Sequence, residues 1–402
     1  MVTVEVRNLV VLNREQAKRE ISMVGSDPGG WRWLAPKAVH RVLKISGLMP
    51  RQANIIKQEM LGKGGDAAVA RGVIDCTAER SNVLVMGTVK QLEALIVKLK
   101  MQPFGLAALA DQIREVLVSL EGRKPFNLDC RGKILPIGSR TLVMGILNVT
   151  PDSFSDGGQF FDAGRAVDQA LRMESEGADI IDLGGESTRP GHQEITPQEE
   201  MQRIIPVLSR LVRELKIPVS VDTTKAEVAA RALEEGANII NDQWALRGNE
   251  LAAVVARYRS PLIIMHNQKG SEYNDLMGDM IRYFRESLAL AGEAGIDRSN
   301  IIIDPGIGFG KTVKQNLETM RRLKELDCIG LPVLLGTSRK SMIGKTLDLP
   351  PGERVEGTAA TVALGITYGA DIVRVHDVKE MVRVARMTDA MVRTGPGVDV
   401  NG

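Results

Sequence analysis

From Leu142 onward, short runs of apolar residues alternate with longer stretches that have helical periodicity. The runs are Leu142–Leu147, Asp179–Leu183, Pro218–Val221, Asn238–Ile240, Pro261–Met265, Ile301–Ile303, Pro332–Leu335 and Asp371–Val375. The helical stretches include Ala163–Glu176, Pro197–Leu215, Lys225–Glu235, Glu250–Arg259, Tyr273–Ala294, Val313–Leu326 and Arg354–Tyr368. Continuous apolar runs are typical of parallel strands buried on both faces. This α/β pattern, with eight β-then-α units, predicts a (β/α)₈ barrel; an open doubly wound sheet is the less favoured alternative.

The N-terminal part of the chain has a less regular pattern. It predicts a strand at Val2–Val6, helices at Arg51–Met60, Val89–Leu99 and Phe104–Leu120, a loop at 62–65 and a short strand at Asn82–Met86. Gly, Arg, Lys and Pro break the periodicity between Glu121 and Pro125. We therefore expect a smaller α/β domain over residues 1–122 and the barrel over 126–402. We expect Trp31, Trp33 and His40 to be packing or surface residues.

Polar or charged residues lie at the C-terminal ends of all eight apolar runs. They are Asn148, Asp182 with Glu186, Asp222, Asn241 with Asp242, His266, Asp304, the segment Ser338–Lys340, and Arg374 with His376. A single polar residue after a strand is commonly a helix cap, but Lys340 and Arg374 are poor caps. Because the carboxyl ends of parallel barrel strands meet at one face, these side chains predict an active site there.

Composition excludes several other classes of protein. The chain has 402 residues, a formal net charge of +2 and only 3% aromatic residues, so a nucleic-acid or membrane-surface binder is not expected. Its three cysteines lack CxxC spacing, which disfavours disulfides and structural zinc. The N-terminus has no signal-peptide pattern and no apolar run is long enough to cross a bilayer, which predicts a cytoplasmic protein.

Cationic groups follow the seventh and eighth runs, in GTSRKS (Gly336–Ser341) and RVHD (Arg374–Asp377). The same two strand ends commonly bind phosphate in barrels, so these segments suit a diphosphate. The segment DPGIGFGKT (Asp304–Thr312) is not a nucleotide P-loop, because Pro305 occupies the place of the first glycine. Its glycines would instead let the backbone approach a flat ligand.

Asp222, Asn241 and Asp304 can pair with the donor–acceptor edge of a heterocycle. Two carboxylates could also act as acid and base in hydrolysis, or bind a hard cation. A transition-metal hydrolase is disfavoured, because only His266 and His376 lie at strand ends. In the segment Met144–Asp162 the strand ends at Asn148 and a loop follows. This loop and the loop Gly184–Gly191 are expected to close over a ligand, and the second has donors for an anion.

The stretch from about Phe126 to Met391 resembles dihydropteroate synthases. The matching motifs are GILNVTPDSFSDGG, GADIIDLGGESTRPG, VSVDTTK, IIND, DPGIGFGK, GTSRKS and RVHD, in that order. The resemblance implies a TIM barrel that condenses 6-hydroxymethyl-7,8-dihydropterin diphosphate with 4-aminobenzoate, with Mg²⁺, in a homodimer. It leaves residues 1–122 without a counterpart in the minimal enzyme, and we interpret them as an accessory domain.

The resemblance also implies residue roles. Mg²⁺ and the diphosphate would be held by Asn148. The pterin would be bound by Asp222, Asn241, Asp304 and Lys340, with Met265 and Phe309 packed against its ring. The diphosphate would also be bound by Arg374, His376 and Thr188, and the aminobenzoate would be framed by Arg189, Pro190, Phe154 and Ser338. Asp222, Lys340, Arg374 and His376 would be catalytic. The segment MHNQKG (Met265–Gly270) and Trp244 depart from the usual family pattern.

Two other functions remain open at this point. A methyltetrahydrofolate–corrinoid methyltransferase shares a pterin-binding barrel, and a non-catalytic pterin-binding protein could use the same pocket. The cationic segment after the seventh run, together with Arg374 and His376, favours the synthase over both.

Overall fold

A computed structural model describes residues 4–149, 163–186, 195–247 and 250–393. It divides the chain into two compact units, Met1–Arg123 and Lys124–Gly402. Each has hydrophobic clusters made from its own residues. No helix in the described ranges is both long and apolar enough to cross a membrane.

The N-terminal unit contains a three-stranded antiparallel sheet in the order β1-β3-β2. Its elements are α1 (Arg14–Met23), α2 (Trp31–Ala38), β1 (His40–Leu48), α3 (Pro50–Leu61), β2 (Asp66–Val69), β3 (Ser81–Thr88), α4 (Val89–Leu99) and α5 (Leu106–Ser119), with short 3₁₀ turns at Pro28–Gly30 and Arg71–Val73. Side chains of β3 are alternately buried and exposed, so Val83 and Val85 face a core that includes Ile56, Leu92 and Leu95. One sheet face therefore packs against helices, as an α/β unit requires.

Several predictions for this unit are confirmed and one is wrong. Helices α3, α4 and α5 and strand β3 occur where the sequence predicts them. The predicted strand Val2–Val6 is not formed at its described residues, 4–6, and Val4 and Val6 are 88% and 96% exposed. Alternating valines form a strand only where a neighbouring strand pairs with them and an apolar surface covers one face. His40 and Trp33 are exposed, in line with the surface role expected for them.

The C-terminal unit contains eight parallel strands in the order β11-β10-β9-β8-β7-β6-β13-β12. They are β6 (Leu142–Asn148), β7 (Ile180–Gly184), β8 (Val219–Asp222), β9 (Ile239–Asp242), β10 (Leu262–Met265), β11 (Ile301–Asp304), β12 (Leu334–Leu335) and β13 (Ile372–Val375). A parallel bridge between Ile303 and Val333 joins β11 to the residue before β12, and Ile303 N donates to Pro332 O at 2.9 Å. The sheet therefore closes on itself, and the predicted (β/α)₈ barrel is confirmed.

Helices surround this barrel. They are α6 (Ala163–Ser175), α7 (Pro197–Glu214), α8 (Ala226–Glu235), α9 (Leu251–Tyr258), α10 (Leu276–Glu293), α11 (Val313–Arg321), α12 (Ser341–Leu347), α13 (Val355–Thr367) and α14 (Val378–Val392), with 3₁₀ helices at Arg298–Asn300, Leu323–Ile329 and Pro351–Glu353. The helix predicted at Val313–Leu326 is split, since α11 ends at Arg321 and a 3₁₀ helix follows. The short helix α12, which the sequence pattern did not predict, begins directly after Lys340.

A hairpin closes the amino-terminal end of the barrel. Strands β4 (Phe126–Cys130) and β5 (Lys133–Ile137) pair antiparallel, and Leu128 and Leu135 pack with apolar residues from seven of the eight barrel strands. Lys133 Nζ donates to Ile217 O at 2.7 Å, and Asn238 Nδ2 donates to Cys130 O at 2.9 Å. The polar residues of the strand ends lie at the opposite end of the barrel, which is its mouth.

Candidate active site

The barrel mouth brings the predicted polar residues together. Asn148 pairs with Gly184 across β6 and β7, Gly184 pairs with Asp222 across β7 and β8, and Asp222 pairs with Asn241 across β8 and β9. A Cβ atom on Gly184 would lie 3.3 Å from Asn148 Oδ1 and 3.8 Å from Asp222 Cβ. These four residues therefore form one continuous row across adjacent strands.

The other side of the mouth joins the same site. Met265 on β10 pairs with Asp304 on β11. A Cβ atom on Gly336 would lie 3.8 Å from Arg374 Cβ and 3.9 Å from Asp304 Oδ2. The charge of Asp304 also acts on Lys340 and Arg374, and the charge of Asp222 acts on the same two cations. The structure thus brings Asp222, Asp304, Lys340 and Arg374 together at the mouth of the barrel, and we call the space between them the cavity.

Arg374 is the centre of a charged network at the floor of this cavity. Its Nε donates to Asp182 Oδ2 at 2.6 Å and its Nη2 donates to Asp222 Oδ2 at 3.1 Å. Asn241 Nδ2 also donates to Asp182 Oδ2, at 3.1 Å. Gln243 Nε2 donates to both oxygens of Asp222, at 2.9 and 2.8 Å. One arginine is therefore shared by two buried carboxylates, and two amides donate further hydrogen bonds to them.

Asp182 and Gln243 are members of this network to which the sequence analysis gave no substrate role, although Asp182 was among the strand-end residues expected at the site. Asp182 is fully buried, and its Oδ1 has no hydrogen-bond partner among the described residues. A signal for both was present in the sequence, because residues two apart on a strand share a face. Asp182 shares the inner face of β7 with Ile180, and Gln243 continues the inner face of β9 through Asn241.

Burial sets the charge state of Asp222. Loss of water around the carboxylate raises its pKa to about 7, and the negative charge of Asp182 acts in the same direction. Arg374 and the hydrogen bonds from Gln243 oppose this increase. Asp222 is therefore a carboxylate whose charge is poorly compensated by water, which strengthens its interaction with any cation that forms nearby.

Asp304 and Lys340, on the other side of the cavity, carry opposite charges and influence each other's pKa. Burial raises the pKa of Asp304, while Lys340 lowers it. Burial also lowers the pKa of Lys340 to about 8, against the attraction of Asp304. Lys340 occupies the N-cap position of α12 but makes no capping bond; its Nζ donates to Ile307 O and lies 4.3 Å from the Phe309 ring centroid. Its side chain therefore belongs to the cavity rather than to the helix end.

The loop after β11 is fixed by a glycine and a buried lysine. Gly306 has a φ of +65°, and a Cβ atom there would lie 1.9 Å from His266 O, so only glycine fits. Lys311 Nζ donates to the carbonyl oxygens of Gly306 and Phe309, at 3.1 and 3.2 Å, and lies 2.9 Å from His266 Nδ1. This loop holds Phe309 beside Lys340.

Two of the strand-end polar residues have local structural roles instead. His266 packs edge-on against Tyr283, with ring centroids 4.7 Å apart, and burial lowers its pKa to about 2. Asp242 accepts from the backbone N–H groups of Trp244 and Leu246, at 2.9 and 2.6 Å, and so caps a turn. These two strand-end residues therefore make contacts that stabilise the fold locally, and the family resemblance assigns neither of them a substrate role.

Ser338 and His376 lie together at the ends of β12 and β13. Ser338 Oγ accepts from His376 N at 3.1 Å and lies 3.0 Å from His376 Nδ1. Ser338 is only 4% exposed, so its hydroxyl orients the imidazole of His376. The other predicted site residues, Phe154, Thr188, Arg189 and Pro190, lie outside the described ranges.

The fold and the site together define a class of protein. It is a barrel enzyme whose buried carboxylate and amide groups suit a polar ring and whose cationic side chains lie beside them. The model of the pterin binding enzyme family matches residues 144–376. The chain is 54% identical to the dihydropteroate synthase of Bacillus subtilis over 257 residues, which are 64% of this chain and 90% of that protein. The chain belongs to the dihydropteroate synthase family.

Solved structures agree with this assignment. Clostridium difficile dihydropteroate synthase, crystallised with pteroic acid, is 52% identical with a TM-score of 0.64, covering 65% of this chain and 100% of that one. The Xanthomonas albilineans enzyme with 7,8-dihydropteroate is 41% identical with a TM-score of 0.63, covering 67% of this chain and 100% of that one. Both cover about the share of the chain that the barrel occupies.

One further relative matches more of the chain. The probable bifunctional folylpolyglutamate synthase/dihydropteroate synthase of Haloferax volcanii is 41% identical over 378 residues, which are 90% of this chain and 44% of that protein. The barrel unit alone is too short to supply 90% of the chain, so the match extends into the unit Met1–Arg123. Sequence related to the N-terminal unit therefore occurs in that larger protein.

Proposed function

We propose that this protein condenses 6-hydroxymethyl-7,8-dihydropterin diphosphate with 4-aminobenzoate to give 7,8-dihydropteroate and diphosphate. The observation that carries the proposal is the single cavity in which Asp222, Asn241, Asp304 and Lys340 meet Arg374. Relatives of 41–52% identity were crystallised with pteroic acid, with 4-aminobenzoic acid and with 7,8-dihydropteroate. The family and the chemistry of the site support the same reaction.

The pterin ring fits the buried side of the cavity. Asp222 and Asp304 accept hydrogen bonds from ring N–H and amino groups, while Asn241 and Lys340 donate to ring nitrogen or carbonyl atoms. Asn241 and Asp304 are 5% and 6% exposed, so an analogue lacking the matching group would leave a buried polar atom unpaired. Met265 and Phe309 supply apolar surface for the ring.

The diphosphate lies on the cationic side, against Arg374 and His376, with Thr188 as a further donor. The bond between the pterin methylene carbon and the diphosphate oxygen breaks, and its electron pair leaves with the diphosphate. The carboxylate of Asp222 stabilises the positive charge left on the methylene-pterin. The amine of 4-aminobenzoate then attacks the methylene carbon and loses a proton, so the step requires positioning and no enzyme nucleophile.

Mg²⁺ fits this arrangement as an ion that binds together with the substrate. Among the described residues, no cluster of three or more His, Cys, Asp or Glu side chains could hold a metal by itself. Mg²⁺ commonly takes one or two protein oxygens and completes its shell with phosphate oxygens and water. Asn148 Oδ1, which Gly184 separates from Asp222 in the row at the mouth, is the oxygen we assign to it. When bound, Mg²⁺ would offset the charge of the diphosphate.

The 4-aminobenzoate site would be framed by Phe154, Arg189, Pro190 and Ser338. Ser338 is the member of this set in the described part of the chain, and it supports the proposal through its contact with His376, which joins the two substrate positions. An arginine is suited to the carboxylate of 4-aminobenzoate because its guanidinium can bind both oxygens.

We expect the purified protein, supplied with the pterin diphosphate, 4-aminobenzoate and Mg²⁺, to release diphosphate and form 7,8-dihydropteroate in equal amounts. A coupled diphosphate assay and mass spectrometry measure the two products. Methyl transfer from methyltetrahydrofolate to a corrinoid, without diphosphate release, would contradict the proposal. Pterin binding with no turnover would instead indicate a non-catalytic binding protein.

We further propose that residues 1–122 form an accessory domain and that 126–402 form the catalytic domain. Every site residue lies in the second, and the clusters that fill the barrel contain no residue before Leu128. A chain beginning at Lys124 is therefore expected to keep kcat/KM within about fivefold of the full chain, because the site's positioning is preserved. Steady-state kinetics on both chains measure this, with circular dichroism as the control for folding; a folded but inactive barrel would contradict it.

Assembly and location complete the proposal. We expect a homodimer acting in the cytoplasm, as the family resemblance and the reducing-compartment pattern of the three cysteines suggest. Light scattering of the purified protein measures the first of these, and cell fractionation measures the second.

A further inference from the structure

Gln243 directs its side-chain amide entirely toward Asp222. Nε2 donates to both carboxylate oxygens of Asp222, at 2.9 and 2.8 Å, and the glutamine is only 6% exposed. Arg374 Nη2 approaches one of the same oxygens, Oδ2, at 3.1 Å. A single carboxylate is thus held from two sides, by a neutral donor on the β9 end and by a cation on β13.

The local fold does not depend on this contact. The turn that follows β9 is capped by Asp242, which accepts from the N–H groups of Trp244 and Leu246. Gln243 lies just beyond the end of β9; Asp242 faces the turn, and the side-chain amide of Gln243 contacts Asp222 in the cavity. Asp242 therefore stabilises the turn, and the side chain of Gln243 contributes to the site.

The charges around Asp222 favour a neutral hydrogen-bond donor at position 243, and we call the contact of Gln243 with Asp222 the clamp. Asp222 faces Asp182 from β7, Glu200 from α7, Arg374 from β13 and the more distant Lys340. A second cation in the place of Gln243 would neutralise the carboxylate that must face a developing positive charge, and an acid would repel it. A glutamine fixes the carboxylate plane through two charge-assisted hydrogen bonds and leaves its net charge unchanged.

We propose that Gln243 is a positioning residue of the pterin subsite, which fixes the orientation of the Asp222 carboxylate toward the pterin. The inference rests on the proposed function for its catalytic consequence. Gln243 acts through Asp222, so it is expected to affect the pterin half of the reaction and to leave the 4-aminobenzoate half unchanged.

Gln243→Met tests this with a side chain of similar length that lacks the donor. We expect kcat/KM for the pterin diphosphate to fall about 10- to 30-fold, as for loss of hydrogen bonds to a charged group. The KM for 4-aminobenzoate should stay within about twofold, because the variant retains its fold and its second subsite. Calorimetric titration with 6-hydroxymethylpterin should show a comparable loss of affinity. Gln243→Glu, which places a second carboxylate against Asp222, should cost more than Gln243→Met.

Gln198→Met is the matched control, because Gln198 is an exposed residue of α7. Wild-type kinetics for the control and a pterin-selective loss for Gln243→Met would support the proposal. Unchanged pterin binding in Gln243→Met, or an equal increase of both KM values with a lowered unfolding temperature, would overturn it. If the wild-type protein forms no dihydropteroate, the proposed function fails while the calorimetric titration still tests the clamp.

Discussion

Replacing Asp222 with asparagine is expected to lower kcat by a factor of about 10² to 10³. The substitution keeps the size of the side chain and removes the charge that faces the cationic methylene-pterin.

Removing the charge of Asp222 should not unfold the protein. The folded-state pKa of Asp222, about 7, lies above the usual carboxyl value, so the ionised group destabilises the fold increasingly as pH rises toward 7. At pH 8 the variant should therefore unfold at a temperature equal to or above that of the wild type.

The pH dependence of the same variant is a second measurement. In the wild type, kcat/KM for the pterin diphosphate should rise between pH 6 and pH 8 as Asp222 ionises, because kcat/KM reports groups of the free enzyme and the pKa of Asp222 is about 7. Asp222→Asn should lose this rise.

Asp242→Asn is the control for Asp222→Asn. Asp242 is a buried carboxylate on the neighbouring strand that caps a turn. Asp242→Asn should therefore lower the unfolding temperature, and it should lower kcat much less than Asp222→Asn does. A kcat within about threefold of wild type for Asp222→Asn would refute the charge role.

Replacing Arg374 with alanine has the second large expected effect, on stability as well as on diphosphate binding. Arg374 is the shared partner of Asp182 and Asp222, whose side chains are 0% and 10% exposed. Without it, two buried carboxylates face each other, which costs about 3–5 kcal/mol of unfolding free energy for a broken buried pair. Lowering the pH should recover part of this loss, because a proton on one carboxylate relieves the repulsion.

The binding consequence of Arg374→Ala is selective. Affinity for inorganic diphosphate, measured by calorimetry, should fall at least tenfold, while the KM for 4-aminobenzoate changes little. Denaturant unfolding measures the stability loss. Arg172→Ala is the matched control: Arg172 is 78% exposed and pairs with Glu176 along one helix, so its loss should change neither quantity. Equal weakening of diphosphate and 4-aminobenzoate would argue against the phosphate assignment.

The barrel and the position of its site could be predicted from the sequence because both follow from short-range patterns. Apolar runs identify strands buried on both faces, and closure of eight such strands brings their carboxyl ends together regardless of loop detail. That is why Asn148, Asp222, Asn241 and Arg374, which are far apart in the chain, could be expected at one mouth. Position at a strand end does not by itself show which side chains reach the site, because Asp242 and His266 also lie at strand ends and make local contacts instead.

Partners within the site could not be predicted in this way. The sharing of Arg374 between Asp182 and Asp222 depends on side-chain reach from β13 to strands that are far from it in the sequence. The contact of Gln243 with Asp222 depends on a side chain that lies just beyond the end of β9. Strand alternation would have selected Asp182 and Gln243 as inward-facing, but only the three-dimensional arrangement shows which oxygen each donor reaches. The N-terminal unit was harder still, since its strands β1 and β2 are edge strands without a continuous apolar run.

The hairpin of β4 and β5 restricts the side from which ligands can reach the site. It covers the far end of a barrel whose interior is filled by side chains, so substrates can enter and leave only through the mouth. Under the proposed reaction we expect the bicyclic ring to lie beside the buried Asn241 and Asp304, and the smaller aromatic amine to lie nearer the entrance. We therefore expect the pterin diphosphate to bind before 4-aminobenzoate, and the product to leave with its ring last.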